Sequence, residues 1–202
     1  MGTLNVEIIG TRALLQHNIR LANPMDPYTR ALVELTKSRK TRGADKDEAL
    51  ANMARAEWEG GLYHSGTEPD DDGMGPYIPA AWVQKALTEA ARLTRDGKNV
   101  ERGVTIVHER HRIEYAGPRD LDGMWGAGGR HVDQRMVTVA RAKVLRTRPK
   151  FGAGWKASVA LSFASEVVNA DDIKRFFEAA GRYIGMGDAR SIGFGRFDVV
   201  FR

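Results

Sequence analysis

The run from Trp155 to Phe201 most narrows what this chain can fold into. Trp155, Ala157, Val159, Leu161 and Phe163 alternate with Lys156, Ser158, Ala160, Ser162 and Ala164, the two-residue period of a strand with one face in a core and the other open. Asn169 then stands at an N-cap position with acids in the following turn, and Ile173, Phe176, Phe177, Ala180 and Ile184 recur at helical spacing until Gly185 stops them. A last strand over Phe194 to Phe201 sets Phe197, Val199 and Phe201 on one face. Strand, amphipathic helix and strand in succession require a sheet with helices packed against one side.

The rest of the chain extends this pattern. Leu4 to Ile9 alternates and ends at Gly10, giving strand 1. The segment 22–75 changes character: "NPMDP" is a turn, helices are expected over Tyr28 to Lys40 and Asp45 to Glu59, and an acidic, turn-rich stretch ends in "DDGMGP". It reads as a large, mainly helical insertion after strand 1. Pro79 suits a first helical position, and Val83, Ala86, Leu87 and Ala90 predict a helix to about Arg95. Val104 to Val107 and Arg112 to Tyr115 are expected to pair as a hairpin, opening a hairpin and loop insertion over 104–130 that ends in the glycine-rich "GMWGAGGR". Met136, Thr138, Ala140, Ala142 and Val144 then form one face of a strand with Arg141 and Lys143 on the other, and "RPKFGAG" is the turn that follows. Without the insertions the order is strand, helix, strand, strand, helix, strand. That is an α+β, ferredoxin-like (RRM-like) antiparallel sheet with helices on one face, expected as a single domain over 1–202.

Composition bounds the function classes. A chain of 202 residues with 42% hydrophobic content suffices for one substantial core, and the lack of cysteine excludes a disulfide framework or a zinc ribbon. The first residues, "MGTLNVEIIG", show neither a signal peptide nor the myristoylation pattern, and no apolar stretch reaches the length of a membrane span, so a cytoplasmic chain is expected. The net charge is +5, and its distribution is more telling than its size. Arg130, Arg135, Arg141, Lys143, Arg146, Arg148, Lys150 and Lys156 face a single acid of the same segment, Asp133, while acids gather elsewhere, as in "EPDDD". Such a basic segment is either a merely solvated hairpin or a footprint for a polyanion such as nucleic acid.

The stretch "GMGDARSIGFGRF" (185–197) lies between the last helix and the last strand. It lacks the full dinucleotide fingerprint and follows a helix, which argues against a Rossmann reading. Glycines at Gly185, Gly187, Gly193 and Gly195 permit left-handed torsions and close backbone approach, and Arg190 and Arg196 add charge in a fork suited to phosphate. With Ser191, Phe194 and Phe197, these residues resemble the signature of the RAMP superfamily, the RNA-recognition-motif-like proteins of CRISPR effector complexes. The resemblance implies either a backbone subunit that polymerises along a guide RNA or an endoribonuclease that cuts the precursor transcript; a stand-alone phage or mobile-element relative that binds single-stranded DNA belongs to the same expectation. One departure is that the open face of the strand over Lys156 to Ser162 carries no aromatic platform for stacking bases, so binding would rest on phosphate contacts.

The expected function is non-catalytic binding of single-stranded nucleic acid, RNA first, with assembly along the strand as a homo-oligomer or within a CRISPR-like complex. The candidate contacts are Arg12, His17, Asn18 and Arg20 flanking strand 1; Arg141, Lys143, Arg146, Arg148, Lys150 and Lys156 for backbone charge; and Gly187, Arg190, Gly193, Gly195 and Arg196 in the loop. Two alternatives stand beside it. One is metal-independent RNA cleavage with His17 as general acid or base, assisted by Tyr28 and Lys37. The other is a scaffold whose basic hairpin meets an acidic protein. No cofactor, metal or membrane is expected. "HERH" (108–111) lacks metalloprotease spacing and is expected to be a solvated hairpin tip, "DDD" (70–72) a disordered acidic loop, and Trp125 an anchor of its loop to the core.

Overall fold

A computed structural model describes residues 1–38, 46–139 and 141–202. In chain order the regular elements are β1 (Gly2–Gly10), β2 (Leu14–Leu15), α1 (Pro27–Ser38), α2 (Lys46–Gly61), β3 (Tyr77–Pro79), α3 (Ala80–Arg92), α4 (Gly97–Gly103), β4 (Val104–Ile106), β5 (Arg110–Arg112), α5 (Leu121–Gly126), β6 (Val132–Val139), β7 (Ala142–Phe151), β8 (Lys156–Phe163), α6 (Ala170–Ala179) and β9 (Phe197–Phe201). Lys40, Asp45 and Ala140, at the expected ends of α1 and α2 and on the expected strand face, lie outside the described residues. The architecture is mixed α and β with antiparallel sheets.

The chain divides into two compact units: Met1–Leu14 with Met74–Ala116 and Phe151–Arg202, and Leu15–Gly73 with Gly117–Lys150. The first unit holds a four-stranded sheet in the order β4–β8–β1–β9. Every neighbouring pair is antiparallel, with Val6 opposite Val159, Ile8 opposite Val199 and Ile106 opposite Leu161. Period-two alternation turns Val6, Ile8, Ala157, Val159 and Leu161 to one buried side. Against it pack Val83, Ala86, Leu87 and Ala90 of α3 and Ile173, Phe176 and Phe177 of α6. Each valine, leucine, isoleucine or phenylalanine among them contributes about 1.5–3 kcal/mol on full burial. Asn169 caps α6 as expected, its side-chain oxygen accepting from the Asp172 amide at 2.8 Å. The helix then widens into a π turn over Ala180–Ile184, closed by the Gly185 amide on the Ala180 carbonyl at 2.8 Å.

Trp155 and Gly10 join the ends of β8 and β1. A Cβ at Gly10 would overlap the Trp155 indole, and the indole Nε1 donates to the Arg12 carbonyl at 2.9 Å. The second unit has its own core in Leu15, Trp58, Leu62 and Met124, all fully buried. Trp58 Nε1 donates to the His131 carbonyl at 2.8 Å, and Trp125 lies tilted against Trp58 with ring centroids 5.5 Å apart, an anchor as expected.

Several expectations need correction. The single strand expected through Met136 and Val144 is two strands: β6 and β7 pair with Val139 opposite Ala142 and Met136 opposite Leu145, and Arg141 stands in the turn at φ 69°. The expected hairpin of 104–115 does not form, because β4 pairs with β8 while β5 pairs with β3. His111 is therefore no solvated tip. It is buried on β5, its Nδ1 donating to the Ser158 carbonyl at 3.0 Å, whereas His108 is exposed. The acidic loop is ordered around Asp71, whose carboxylate accepts from Ser65 Oγ at 2.7 Å and from the Gly73 amide at 3.0 Å, holding it below the usual carboxylate range.

Burial pushes the His111 imidazole below its ordinary value of 6.5, against the opposing bond to Ser158, and burial also lowers His131. Below that value the unfolded chain binds more protons than the folded one, so stability falls as pH drops beneath about 6.5 and is flat above it. Urea unfolding at pH 5.5 and 7.5 is expected to show the lower midpoint at pH 5.5. His111→Asn is expected to shrink that difference, and an unchanged difference would show that His111 does not contribute.

Candidate nucleic-acid interface

The loop of the first unit that follows the π turn is built by its glycines. Gly185, Gly187, Gly193 and Gly195 all have positive φ, at 78°, 77°, 91° and 68°, and Ala189 joins them at 56°. Gly195 is the most demanding: a Cβ there would overlap the Met186 carbonyl oxygen, which lies beside it because the Met186 amide donates to the Gly195 carbonyl at 2.9 Å. At Gly193 a Cβ would meet open space. The loop is stapled to the end of β1 by Gly195 N donating to the Ala13 carbonyl at 2.8 Å, and by Thr11 and Arg12 amides donating to the Arg196 carbonyl at 2.9 and 3.2 Å. Arg12 and Arg196 thus come together through their backbones. The Arg196 side chain is half-buried, and its Nη1 is buried with no hydrogen-bond partner.

Arg190 is less free than its place in the motif suggests. Its Nη1 pairs with Glu89 of α3 at 2.7 Å, with both side chains about three-quarters covered. Trp82 and Lys85 of the same helix join Gly185, Met186, Gly187 and Arg190 around a small cavity of about 60 Å³. Neither α3 residue stands out in the sequence, where the helix is marked by its apolar positions. The missed signal is its polar side, where residues three and seven apart share a stripe.

The open side of the sheet carries Lys156, but not as an isolated cation. Glu7 sits across from it at 3.5 Å and also pairs with Arg202, while Asp198 is exposed on β9. The cations of this face are matched by its acids.

In the second unit, the basic strand β7 divides by its two-residue period. Arg146, Arg148 and Lys150 share one side and Lys143 the other. Arg148 is buried in an ion pair with Asp133 at 3.0 Å, and Asp133 also holds Arg135. Arg146 pairs with Glu57 of α2 at 2.8 Å, and the other Glu57 oxygen accepts from the Thr147 amide at 2.9 Å. These partners offset the like-charged Arg135 and Arg146, which stand directly opposite in the hairpin. Arg141 and Lys143 are exposed at its turn, and Lys150 is half-buried.

The candidates near β2 are mostly structural. Asn18 is buried: its side chain donates to the Leu62 carbonyl at 3.2 Å and accepts from the Arg20 amide at 3.0 Å. Arg20 binds the Thr67 carbonyl at 2.9 Å and Glu68 at 3.2 Å and lies over the Tyr28 ring. His17 is half-buried. Its expected helpers do not converge: Tyr28 sits at the start of α1 and Lys37 nine residues further along, about 13 Å at 1.5 Å per residue, where it pairs with Glu34 at 2.7 Å. Burial, ahead of the nearby Glu59, raises the Tyr28 hydroxyl above its ordinary value. Among the described residues no group of three or more His, Asp or Glu side chains could hold a metal ion, and no helix is long and apolar enough to cross a membrane.

Structural and exposed cations should separate in experiment. Arg148→Ala is expected to lower stability by about 2–4 kcal/mol, because Asp133 loses one of its buried partners. Lys143→Ala is expected to change stability by less than about 0.5 kcal/mol. In the loop, Gly195→Ala is expected to destabilise more than Gly193→Ala, since both torsions are left-handed but only Gly195 meets backbone. Chemical denaturation of the four variants checks the ranking.

No protein-family model and no curated protein matches this chain. Among solved structures it is similar to a chain of the Type III-B Cmr-beta complex bound to cognate target RNA, determined by cryo-EM. The identity is 10%, the TM-score is 0.49, and the likeness covers 99% of this chain and 59% of that one, so this chain spans less than two thirds of its neighbour's length.

Proposed function

We propose that the chain is a RAMP-type, ferredoxin-like protein that binds single-stranded nucleic acid, RNA first, through phosphate contacts and without cutting it. The observation that carries this reading is the place and construction of the loop Gly185–Arg196. In the sheet order β4–β8–β1–β9 the last strand neighbours the first, and every pair is antiparallel. This order supports a ferredoxin-like reading of the sheet. The loop enters the last strand of that sheet with four left-handed glycines and two arginines, as the RAMP motif does. On this reading the segment 22–75 is a helical insertion after the first strand, and the chain assembles side by side along the nucleic acid, as a homo-oligomer or within a CRISPR-like complex. Contacts would come from Arg12, Arg196 and the loop in the first unit, and from Arg141 and Lys143 in the second. The open sheet face supports this mode of binding, because it offers no aromatic side chain on β8 and its charges are already matched.

Binding of a labelled single-stranded oligonucleotide, followed by fluorescence anisotropy, is expected to weaken steeply with salt, the logarithm of affinity falling by about 0.7 per phosphate contact for each unit of log salt. Arg141→Glu with Lys143→Glu is expected to reduce affinity about tenfold or more at low salt while leaving the thermal midpoint unchanged. Affinity that is insensitive to salt would sink the reading, as would histidine-dependent cleavage of RNA in EDTA, lost in His17→Ala.

A further inference from the structure

The outer side of α3 carries a stripe that the loop motif does not include. Trp82, Lys85, Glu89 and Arg92 recur at spacings of three and four, opposite the buried Val83, Ala86, Leu87 and Ala90. From Trp82 to Arg92 the stripe runs about 15 Å. Each end opens into a hollow within the same unit. At the N-terminal end is the cavity of about 60 Å³ between Trp82, Lys85, Arg190 and the glycine loop. At the other end, Arg92, Arg95, Gly97, Lys98 and Glu101 line a hollow of about 440 Å³.

The acids along the stripe are already engaged. Glu89 is held by Arg190 at 2.7 Å, Glu101 by Arg92 at 2.8 Å, and Asp96 accepts from Thr94 Oγ1 at 2.8 Å and the Asn99 side chain at 3.3 Å. Lys85, Arg95 and Lys98 are exposed and have no ion-pair partner among the described residues. Arg95 is moreover held at φ 70°, a left-handed torsion uncommon for residues other than glycine, asparagine and aspartate. The α3 stripe and the corner after it therefore set three unpaired cations, Lys85, Arg95 and Lys98, against the one carboxylate bonded only to neutral groups, Asp96, while the open sheet side presents Glu7 and Asp198 beside Lys156 and Arg202.

We infer that single-stranded nucleic acid tracks along the outer stripe of α3, its phosphates passing from the notch at Trp82, Lys85 and Arg190 to the corner at Arg95 and Lys98, and not across the open face of the sheet. This rests on the binding reading above and gives it a path.

The test is anisotropy titration of labelled oligouridylate and oligothymidylate with the full chain between 50 and 300 mM salt, values on the order of those that resolve a counterion slope. Lys85→Gln, Arg95→Asn and Lys98→Gln combined, with asparagine chosen because it tolerates the left-handed torsion, is expected to make the salt slope shallower by about 2. Its thermal midpoint is expected to stay within about 2 °C of wild type. Lys156→Gln on the sheet face is expected to leave the slope unchanged. If the combined variant is poorly folded, Lys98→Glu alone is expected to weaken binding severalfold. Salt-dependent wild-type binding that the α3 variants do not alter would overturn the path and leave the function reading standing. Absence of any binding by wild type would overturn both. Equal affinity for polyglutamate would assign the stripe to an acidic protein and overturn the path as well.

Discussion

The contact on which the first unit turns is the Trp155 indole lying over Gly10. No side chain larger than hydrogen at position 10 leaves room for the ring, and the ring Nε1 binds the Arg12 carbonyl at 2.9 Å. Beside it, Gly10 N donates to the Trp155 carbonyl and Gly154 N to the Gly10 carbonyl, both at 2.7 Å. This fixes where β1 ends relative to β8. The next residues, Thr11 to Ala13, are then in position to take the Arg196 carbonyl and the Gly195 amide. The glycine loop is thus held from outside by the residues that follow β1, whose end the Trp155 indole fixes, and from inside by its own left-handed turns. A loop held in this way loses little further entropy when a ligand arrives, which is the condition for tight binding by few contacts.

Charge tells a more divided story than the sequence count. The segment from Arg130 to Lys156 looks uniformly basic, yet Arg148 and Arg135 neutralise the buried Asp133, and Arg146 answers Glu57. Stripping the buried Arg148 guanidinium of its carboxylate would cost several kcal/mol, so that arginine is committed to the fold, while Arg135 and Arg146 are paired but about a third exposed. In the second unit the exposed cations of this segment are Arg130 and, at the turn, Arg141 and Lys143. In the other unit the same sorting occurs on the sheet face, where Glu7 takes both Lys156 and Arg202.

The legibility of the fold follows the range of the interactions that decide it. β8, α6 and the loop were readable because alternation, an Asn169 cap and glycine torsions are local signals. The break between β6 and β7 was not, since the alternation of Met136, Thr138, Ala142 and Val144 runs through the turn without a glycine, proline or asparagine to mark it, and Arg141 takes the left-handed torsion instead. Nor could sequence show that Val104–Ile106 pairs with β8, nearly sixty residues downstream, where Val104 shares burial with Phe163. Candidate site residues divide in the same way: the loop was found by its motif, but the fixing of Asn18 by Leu62 and of Arg146 by Glu57 depends on tertiary contacts.

These observations bear on how a nucleic acid could be held at all by the first unit. An RNA-recognition motif gains affinity by stacking bases on sheet aromatics, each worth about 1–3 kcal/mol, and here the open positions of β8 are Lys156, Ser158, Ala160 and Ser162. Affinity on the proposed reading must come from cations and backbone amides, which fall off with salt and read no sequence. Such a site gains strength by repeating along a strand, because each added copy brings further phosphate contacts without needing a particular base. A rigid loop, unmatched cations beside it and a sheet face without stacking surface are therefore mutually consistent with a protein that covers nucleic acid by length, and poorly suited to one that selects a short sequence.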